Sequence, residues 1–340
     1  MGSPRVAQPS RIVVDKFGGS VLRRPEDIAA AVAAVAAQRA AGERPVVVVS
    51  AFEGVTDAIL GSAAVLLPDG GAALRGGSHD PDSLLARETD RALATGEALS
   101  AALFALGLQA RGIRARSFSG AEAGIRTAAA HLGAEVRRVL PRRLRAALAE
   151  EMVPVVAGFQ GIGTHGELTT LGRGGTDLSA VVLAVALRAD RCELFKDTGG
   201  ILEADPHLVP GARFLSVVDA FQLELLAEAG AEVVHPVAVR RARRGKLRLV
   251  IRSVGEGSST EVRPSRAGNE DGPMLLAVDR KERIARISLI GPAARMPELL
   301  PIPAHGAGSF DEGGMRVVWA EVPIEQLARA AQAVHAALMA

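Results

Sequence analysis

Two short glycine-rich stretches carry the residue types that handle phosphate. The first, V-D-K-F-G-G-S, runs from Val14 to Ser20, and the second, T-T-L-G-R-G-G-T-D, from Thr169 to Asp177. Each follows an apolar, strand-like run and joins glycines to one basic residue, Lys16 or Arg173. Glycine lets backbone N–H groups approach phosphate oxygens closely, and a cation beside it neutralises their charge. Two such cradles on one chain imply a site that grips a polyphosphate from two sides. The second cradle also opens a helix, read over Asp177–Arg188, whose first turn presents unpaired N–H groups to an anion. Asp177 there is either a first-turn acid that complements the helix dipole or a member of the site. The chain uses arginine for nearly all its positive charge and has only the lysines Lys16, Lys196, Lys246 and Lys281. A compact ammonium at Lys16 is therefore a chemical choice, because arginine's planar fork is not its equivalent.

Other stretches are more ambiguous. Gly161–Gly166 fits G-x-G-x-x-G, but a β-like polar stretch, Glu167–Thr170, separates it from any helix. A dinucleotide fingerprint opens a helix at once, so that reading is set aside, and no P-loop is present. Thr95-Gly96-Glu97 places a carboxylate in a helix of apolar and small residues. Glu97 is either a surface residue or, if buried, a group that needs a cationic partner. Lys196–Gly200, followed by Asp205-Pro206, reads as a strand end and a Gly-Gly hairpin, which explains the glycines without a ligand.

The elements that position these residues follow from periodicity. Strands are expected at Arg11–Phe17, Pro45–Ser50, Ile113–Phe118, Val153–Ala157, Cys192–Phe195 and Leu247–Ile251. Helices are expected at Pro25–Ala41, Gly54–Leu66, Ser83–Leu106 with a bend near Gly96, Leu132–Glu150, Asp177–Arg188, Val217–Ala229 and Val237–Arg244. The alternation predicts a mainly parallel sheet covered by helices on both faces. Residues 1–10 read as a disordered tail, 68–82 as a surface loop and 255–273 as a linker. Met274–Val278, Ile284–Ile290 and Val317–Val322 read as strands of a small C-terminal domain closed by a helix from Ile324.

Composition bounds the rest. The 340 residues are 48% hydrophobic with formal charge +2, enough for one large domain and one small one. Aromatics total 3% and no basic stripe is visible, which argues against nucleic acid as a partner. The single cysteine, Cys192, excludes an internal disulfide and a multi-cysteine metal site. No apolar run of spanning length and no signal pattern is read, so the expectation is a cytoplasmic protein with no membrane partner.

Six motifs, in order from Arg11 to Ser253, resemble those of aspartate kinases in the amino-acid kinase family. They are K-F-G-G-S-V at 16–21, V-S-A-F-E-G-V-T-D at 49–57, R-E-T-D-R-A-L-A-T-G-E-A-L-S at 87–100, E-A-G-I-R-T at 122–127, T-T-L-G-R-G-G-T-D-L-S-A at 169–180 and G-A-E-V-V-H-P at 230–236. The resemblance implies a three-layer αβα sandwich over 11–254 and a truncated ACT-like α+β domain over 274–340. It implies transfer of the γ-phosphoryl of ATP, with Mg²⁺, to the β-carboxylate of L-aspartate. Lys16 would neutralise the moving phosphoryl group, and Asp177 would hold the site's cations and organise Lys16. Gly18, Gly19, Ser20, Gly174, Gly175, Lys196, Asp197 and Asp205 would contact the nucleotide. Arg173 would clamp the substrate carboxylate, Glu97 would accept from its ammonium, and Ser50 and Thr56 would line the same pocket. No protein-built metal site is implied, and a homodimer is expected.

The same comparison exposes departures. Leu202 stands where the family has a tyrosine, His207 where it has an arginine, and Glu232 where it has a phosphate-facing lysine. Weak ATP binding is therefore expected unless Arg213, Arg240 or Arg252 compensates. Two alternatives to aspartate kinase remain open: a kinase for another amino acid or small carboxylate, and a non-catalytic, ligand-binding or regulatory homologue. With one ACT-like module, inhibition by lysine or threonine is not expected.

Overall fold

β2 (Arg44–Val49) follows β1 (Ile12–Phe17) and the helix α1 (Ile28–Ala40). Its R-P-V-V-V-V sequence is buried from Pro45 onward. A strand with no polar face belongs in the interior of a parallel sheet. In the computed structural model, which describes residues 11–67, 82–231, 233–255, 257–264 and 272–338, β2 is paired on both edges. β1 lies on one side with Lys16 opposite Val48, and β6 (Val153–Ala157) on the other with Val156 opposite Val48. β9 (Arg191–Phe195) adds to β1, and β3 (Ala115–Phe118) to β6. The order β9-β1-β2-β6-β3 is parallel throughout.

Strand alternation divides the helices between two faces. Phe17, Val47, Val49, Val155 and Phe195 pack against α1 and the long helix α3 (Leu84–Gln109), through Val32, Val35, Phe104 and Leu108. Lys16 points the other way, toward α6 (Gly175–Leu187). Helices on both faces make the three-layer αβα arrangement. The remaining elements of this unit are α2 (Val55–Leu66), α4 (Gly120–Ala123), β4 (Ile125–Thr127), β5 (Val136–Val139), α5 (Arg142–Ala149), β7 (Gln160–Ile162) and β8 (Leu168–Thr170). The four short strands form a second sheet in the order β5-β4-β7-β8.

The described residues divide into two compact units. The first runs to Asp197 and includes Ser253–Gly257; the second is Thr198–Arg252 with Ser258 onward. This division cuts the expected 11–254 domain at Asp197. In the second unit, β12 (Val217–Asp219), β14 (Ser259–Arg263) and β13 (Leu249–Arg252) pair in that order. They accompany the hairpin of β10 (Ile201–Leu202) and β11 (Phe214–Leu215), and the helices α7 (Ala220–Glu228) and α8 (Pro236–Arg244). The C-terminal part is an antiparallel sheet ordered β15 (Leu275–Arg280), β16 (Ile284–Pro292), β18 (Met315–Pro323) and β17 (Gly306–Glu312), with α9 (Leu327–Leu338) packed through Leu327, Ala331 and Val334.

Several expectations need correction. Leu132–Glu150 is not one helix. Left-handed backbone at Leu132 (φ 59°) and Gly133 (φ 156°) prevents a helix there, V-R-R-V forms β5, and only Arg142–Ala149 is helical. Val217–Asp219 is strand, because the Asp219 side chain caps the helix that begins at Ala220, accepting from the Phe221 and Gln222 amides. The stretch 255–273 contains β14, which pairs with two strands. β17 was missed because G-A-G-S-F-D-E is glycine-rich. The Trp319 ring occupies the space beside Gly308, where a Cβ would lie 2.9 Å from the ring. Among the described residues α3 is long and apolar enough to cross a membrane by length and composition, contrary to expectation. Its apolar face lies in the core, and it runs unbroken through Gly96. The tail 1–10 and residues 68–81 of the expected loop lie outside the described residues.

Candidate active site

Parallel strands deliver their carboxyl ends, and the loops that follow, to one edge of a sheet, where ligands of such folds bind. Here the ends of β1, β2 and β9 bring together Lys16, Gly19 and Ser20; Ser50 and Ala51; and Lys196. The N-terminus of α6 adds Arg173, Gly174, Gly175 and Asp177. With Thr56, Glu97 and Phe159 these residues line a cleft of about 430 Å³. The sequence placed these groups up to 180 positions apart, from Lys16 to Lys196; the sheet gathers them.

The charge centre is one carboxylate between two ammonium groups. Asp177 Oδ1 lies 2.7 Å from Lys16 Nζ, and Asp177 Oδ2 lies 3.4 Å from Lys196 Nζ. Lys16 and Asp177 are 6% and 5% exposed. Burial opposes ionisation of Asp177, but the two ammoniums overcome it and hold the carboxyl well below the usual carboxylate range. At Lys196 burial depresses the pKa; Asp177 offsets this and Lys16 adds to it. The set carries one surplus positive charge toward the cleft, a demand for an anion. Gly18 leaves room for this charge, since a Cβ there would lie 2.8 Å from Lys16 Nζ and push the ammonium aside. Gly18 therefore sits beneath the lysine. At α6, Gly174 adopts left-handed backbone (φ 70°) as the N-cap and no side chain caps the helix, which leaves its first turn facing the cleft.

Glu97 supplies the opposite sign. It is 4% exposed; its Oε1 accepts from the Ala51 amide at 3.1 Å, and its Oε2 has no hydrogen-bond partner. Gly96 brings helix and strand end this close, because a Cβ there would stand 2.8 Å from that of Ala51. Burial pushes the Glu97 carboxyl up to about 7, against the pull of the Ala51 amide. A buried carboxylate on the wall of a cleft, with one oxygen unpaired, suits a ligand cation.

The remaining expected residues fall elsewhere. Asp197 is exposed and outside the cleft lining. Asp205 belongs to the second unit, where Arg280 lies 3.2 Å from it and its carboxylate accepts from the His207 amide. His207 is exposed and Leu202 half-buried, while Glu232 lies outside the described residues. Two of the arginines expected to compensate are committed within the second unit: Arg213 pairs with Glu203, and Arg240 with Glu224 and Glu228. The described cation that joins Lys16 is Lys196. Sequence reasoning missed Phe159, which lines the cleft in left-handed conformation (φ 65°), a strain that residue type does not announce. It also missed Asp90 and His131, 41 positions apart in the chain and 2.7 Å apart in space.

The donor set fits a polyphosphate and an ammonium-bearing ligand. No group of three or more His, Cys, Asp or Glu among the described residues could cage a metal ion, and Asp177 is already shared by two lysines. A divalent ion accompanying a nucleotide would be held mainly by its phosphates and water.

Comparison with known proteins gives this geometry its class. The sequence profile of the amino acid kinase family matches residues 11–253, and the chain belongs to that family. Its relatives there are aspartokinases. That of Mycolicibacterium smegmatis is 38% identical over 307 residues, covering 88% of this chain and 67% of the relative. Aspartokinase 2 of Bacillus subtilis is 34% identical over 280 residues, covering 82% and 65%. The chain thus spans about two thirds of the length of these relatives. Among solved structures, E. coli aspartokinase III in complex with aspartate and ADP superposes with a TM-score of 0.77 at 20% identity, covering 96% of this chain and 100% of that one. Aspartate kinase from Synechocystis gives 0.62 at 32% identity, covering 96% and 56%.

Proposed function

We propose that the chain transfers the γ-phosphoryl group of ATP to the β-carboxylate of L-aspartate, giving 4-phospho-L-aspartate and ADP. The observation that carries the reading is a single cleft lined both by surplus ammonium, Lys16 and Lys196 around Asp177, and by Glu97, whose buried Oε2 has no hydrogen-bond partner. Phosphoryl transfer asks little covalent chemistry of a protein; it asks for alignment and for cations where charge spreads over the transferring oxygens. Lys16 fills the second role and Asp177 fixes its ammonium. The Gly19–Ser20 turn and the open first turn of α6 provide N–H donors to phosphate. Arg173, exposed at the cleft, suits a bidentate grip on the substrate α-carboxylate, and Glu97 on its ammonium. Ser50 and Thr56 complete the lining. Mg²⁺, brought in on the nucleotide, supplies further charge neutralisation when bound.

The accompanying readings are a homodimer working in the cytoplasm, where ATP is supplied, and an ACT-like origin for the antiparallel sheet of 275–323 with α9. Phe310, half exposed on the edge strand β17, supports a second copy as the partner of that sheet. Incubation with Mg-ATP, L-aspartate and hydroxylamine tests the function. The acyl phosphate is expected as its hydroxamate with L-aspartate and not with succinate, which lacks the ammonium. Hydroxamate from another amino acid alone would move the acceptor. ADP binding without any product would make the chain a regulatory homologue.

A further inference from the structure

A second polar cluster lies behind the cleft. Asp90, on α3, is fully buried. Its Oδ2 accepts from His131 Nδ1 at 2.7 Å, and its Oδ1 accepts from the Leu132 amide at 3.1 Å and from the Thr170 hydroxyl. His131 and Thr170 are 7% and 1% exposed. A fully desolvated carboxylate survives only where such donors surround it, so this one is built to hold three segments at a point. The segments are α3, the 131–134 turn and β8. The turn is tied to β8 again, by the Ala134 amide donating to the Thr170 carbonyl at 2.8 Å.

Each segment leads to the cleft. Asp90 and Glu97 are seven residues apart, the same face of α3 about 10 Å along its axis. Thr170 is three residues before Arg173. The turn forms the wall behind the glycine that precedes Arg173: a Cβ on Gly172 would lie 3.3 Å from the Gly133 Cα and 3.8 Å from the Leu132 carbonyl oxygen. We propose that Asp90 and His131 are positioning residues, a clamp that sets the separation between Glu97 and the loop carrying Arg173 and so the fit of an amino-acid acceptor. The clamp touches no substrate. Its role in acceptor binding rests on the reading of the cleft given above, whereas its hold on the 171–174 loop does not.

The test uses the whole protein and three variants. His131→Ala removes the donor, Thr170→Val removes the hydroxyl, and His131→Asn restores an N–H near the position of Nδ1. Titration calorimetry measures L-aspartate and Mg-ADP separately, and hydrogen exchange measures the amides of 171–174. His131→Ala and Thr170→Val are expected to weaken aspartate by about tenfold, a modest shift in geometry expressed as affinity. Mg-ADP should change by less than about twofold, exchange at 171–174 should quicken, and His131→Asn should recover most of the aspartate affinity. Equal weakening of both ligands would mean general damage and overturn the proposal, as would no change in either. If the unmodified protein binds neither ligand, the reading of the cleft falls. The exchange data then decide the clamp alone, and unaltered exchange at 171–174 in His131→Ala overturns it.

Discussion

Asp15 and Lys16 are neighbours on β1 and face opposite sides of the same sheet. Lys16 meets one carboxylate and a second ammonium at the cleft. Asp15 meets the reverse. It pairs in register with buried Glu193, near Glu43, and one guanidinium, Arg191, binds both glutamates. The Asp15 carboxyl itself has only the Gln38 amide, 3.1 Å from Oδ1, and Oδ2 has no partner. Burial first, and the Glu193 charge second, push the Asp15 carboxyl well above its ordinary range. Both faces therefore hold unbalanced charge. On the open face the imbalance is accessible to a ligand; on the face closed by α1 burial favours its resolution by a proton. What distinguishes a binding site from a structural liability is access, not charge.

The comparison can be broken most directly at Lys16. Replacement by Met should reduce turnover by about a thousandfold or more, the scale of losing a charge aimed at a transition state. The protein should still melt near its normal temperature, and retention of a tenth of the rate would remove the open face from the chemistry. Lys196→Met should raise the Mg-ADP Kd by about tenfold while leaving aspartate affinity nearly unchanged. An unaltered Kd would mean that Asp177, not a ligand, is the sole partner of Lys196. Glu97 sharpens the contrast through pH. Only its ionised form pairs with an ammonium, and its carboxyl titrates at about 7. The aspartate KM should therefore fall by about tenfold from pH 6 to 8, following the ionised fraction. Glu97→Gln should give a raised KM that is flat over that range, and a wild-type profile already flat would count against the ammonium contact. The smallest effect belongs to the closed face. A carboxyl whose folded pKa is raised contributes its full stability below its unfolded value and loses it as pH rises through the folded one. Wild-type stability should thus decline above pH ~4 by this term. Asp15→Asn should flatten that slope and raise Tm at pH 8 by about 2–4 °C, the size of a ~1 kcal/mol gain in a domain of this length. A lower Tm at pH 8 would show the carboxylate to be paired after all.

Much of the cleft lining was legible because its glycine-rich loops are contiguous. Gly18, Gly19 and Ser20 follow one strand end, and Gly172–Asp177 enter one helix, so local composition carries the message. Lys196 was read as hairpin or nucleotide contact, and its partnership with Asp177 appears only when β9 is laid beside β1. Weak ATP binding was expected from what stands at 202, 207 and 232. Lys196, one of the expected nucleotide contacts, stands beside Lys16 across Asp177 and is a cation that the comparison of 202, 207 and 232 left out of account. The Asp90–His131 contact gave no signal, since a buried hydrogen bond between distant segments has no period. The main strands were found from their valine runs, whereas β4, β5, β7 and β8 are three or four residues long and too short for alternation to register. The leucines and alanines of 140–148 matched helical spacing, which extended that helix back over β5.

The chain contains one tryptophan and no tyrosine. That tryptophan, Trp319 on β18, lies under the Arg286 guanidinium, 4.4 Å from the ring centroid. The protein is thus labelled by nature with a single fluorophore, and it sits in the second unit, while the unit that carries the cleft is optically dark. Emission followed during denaturation reads the C-terminal sheet alone, and far-UV dichroism reads the whole chain. Divergence of the two curves would count the unfolding steps without any added dye. A change in emission on adding nucleotide would be a message received by one unit from a ligand held in the other.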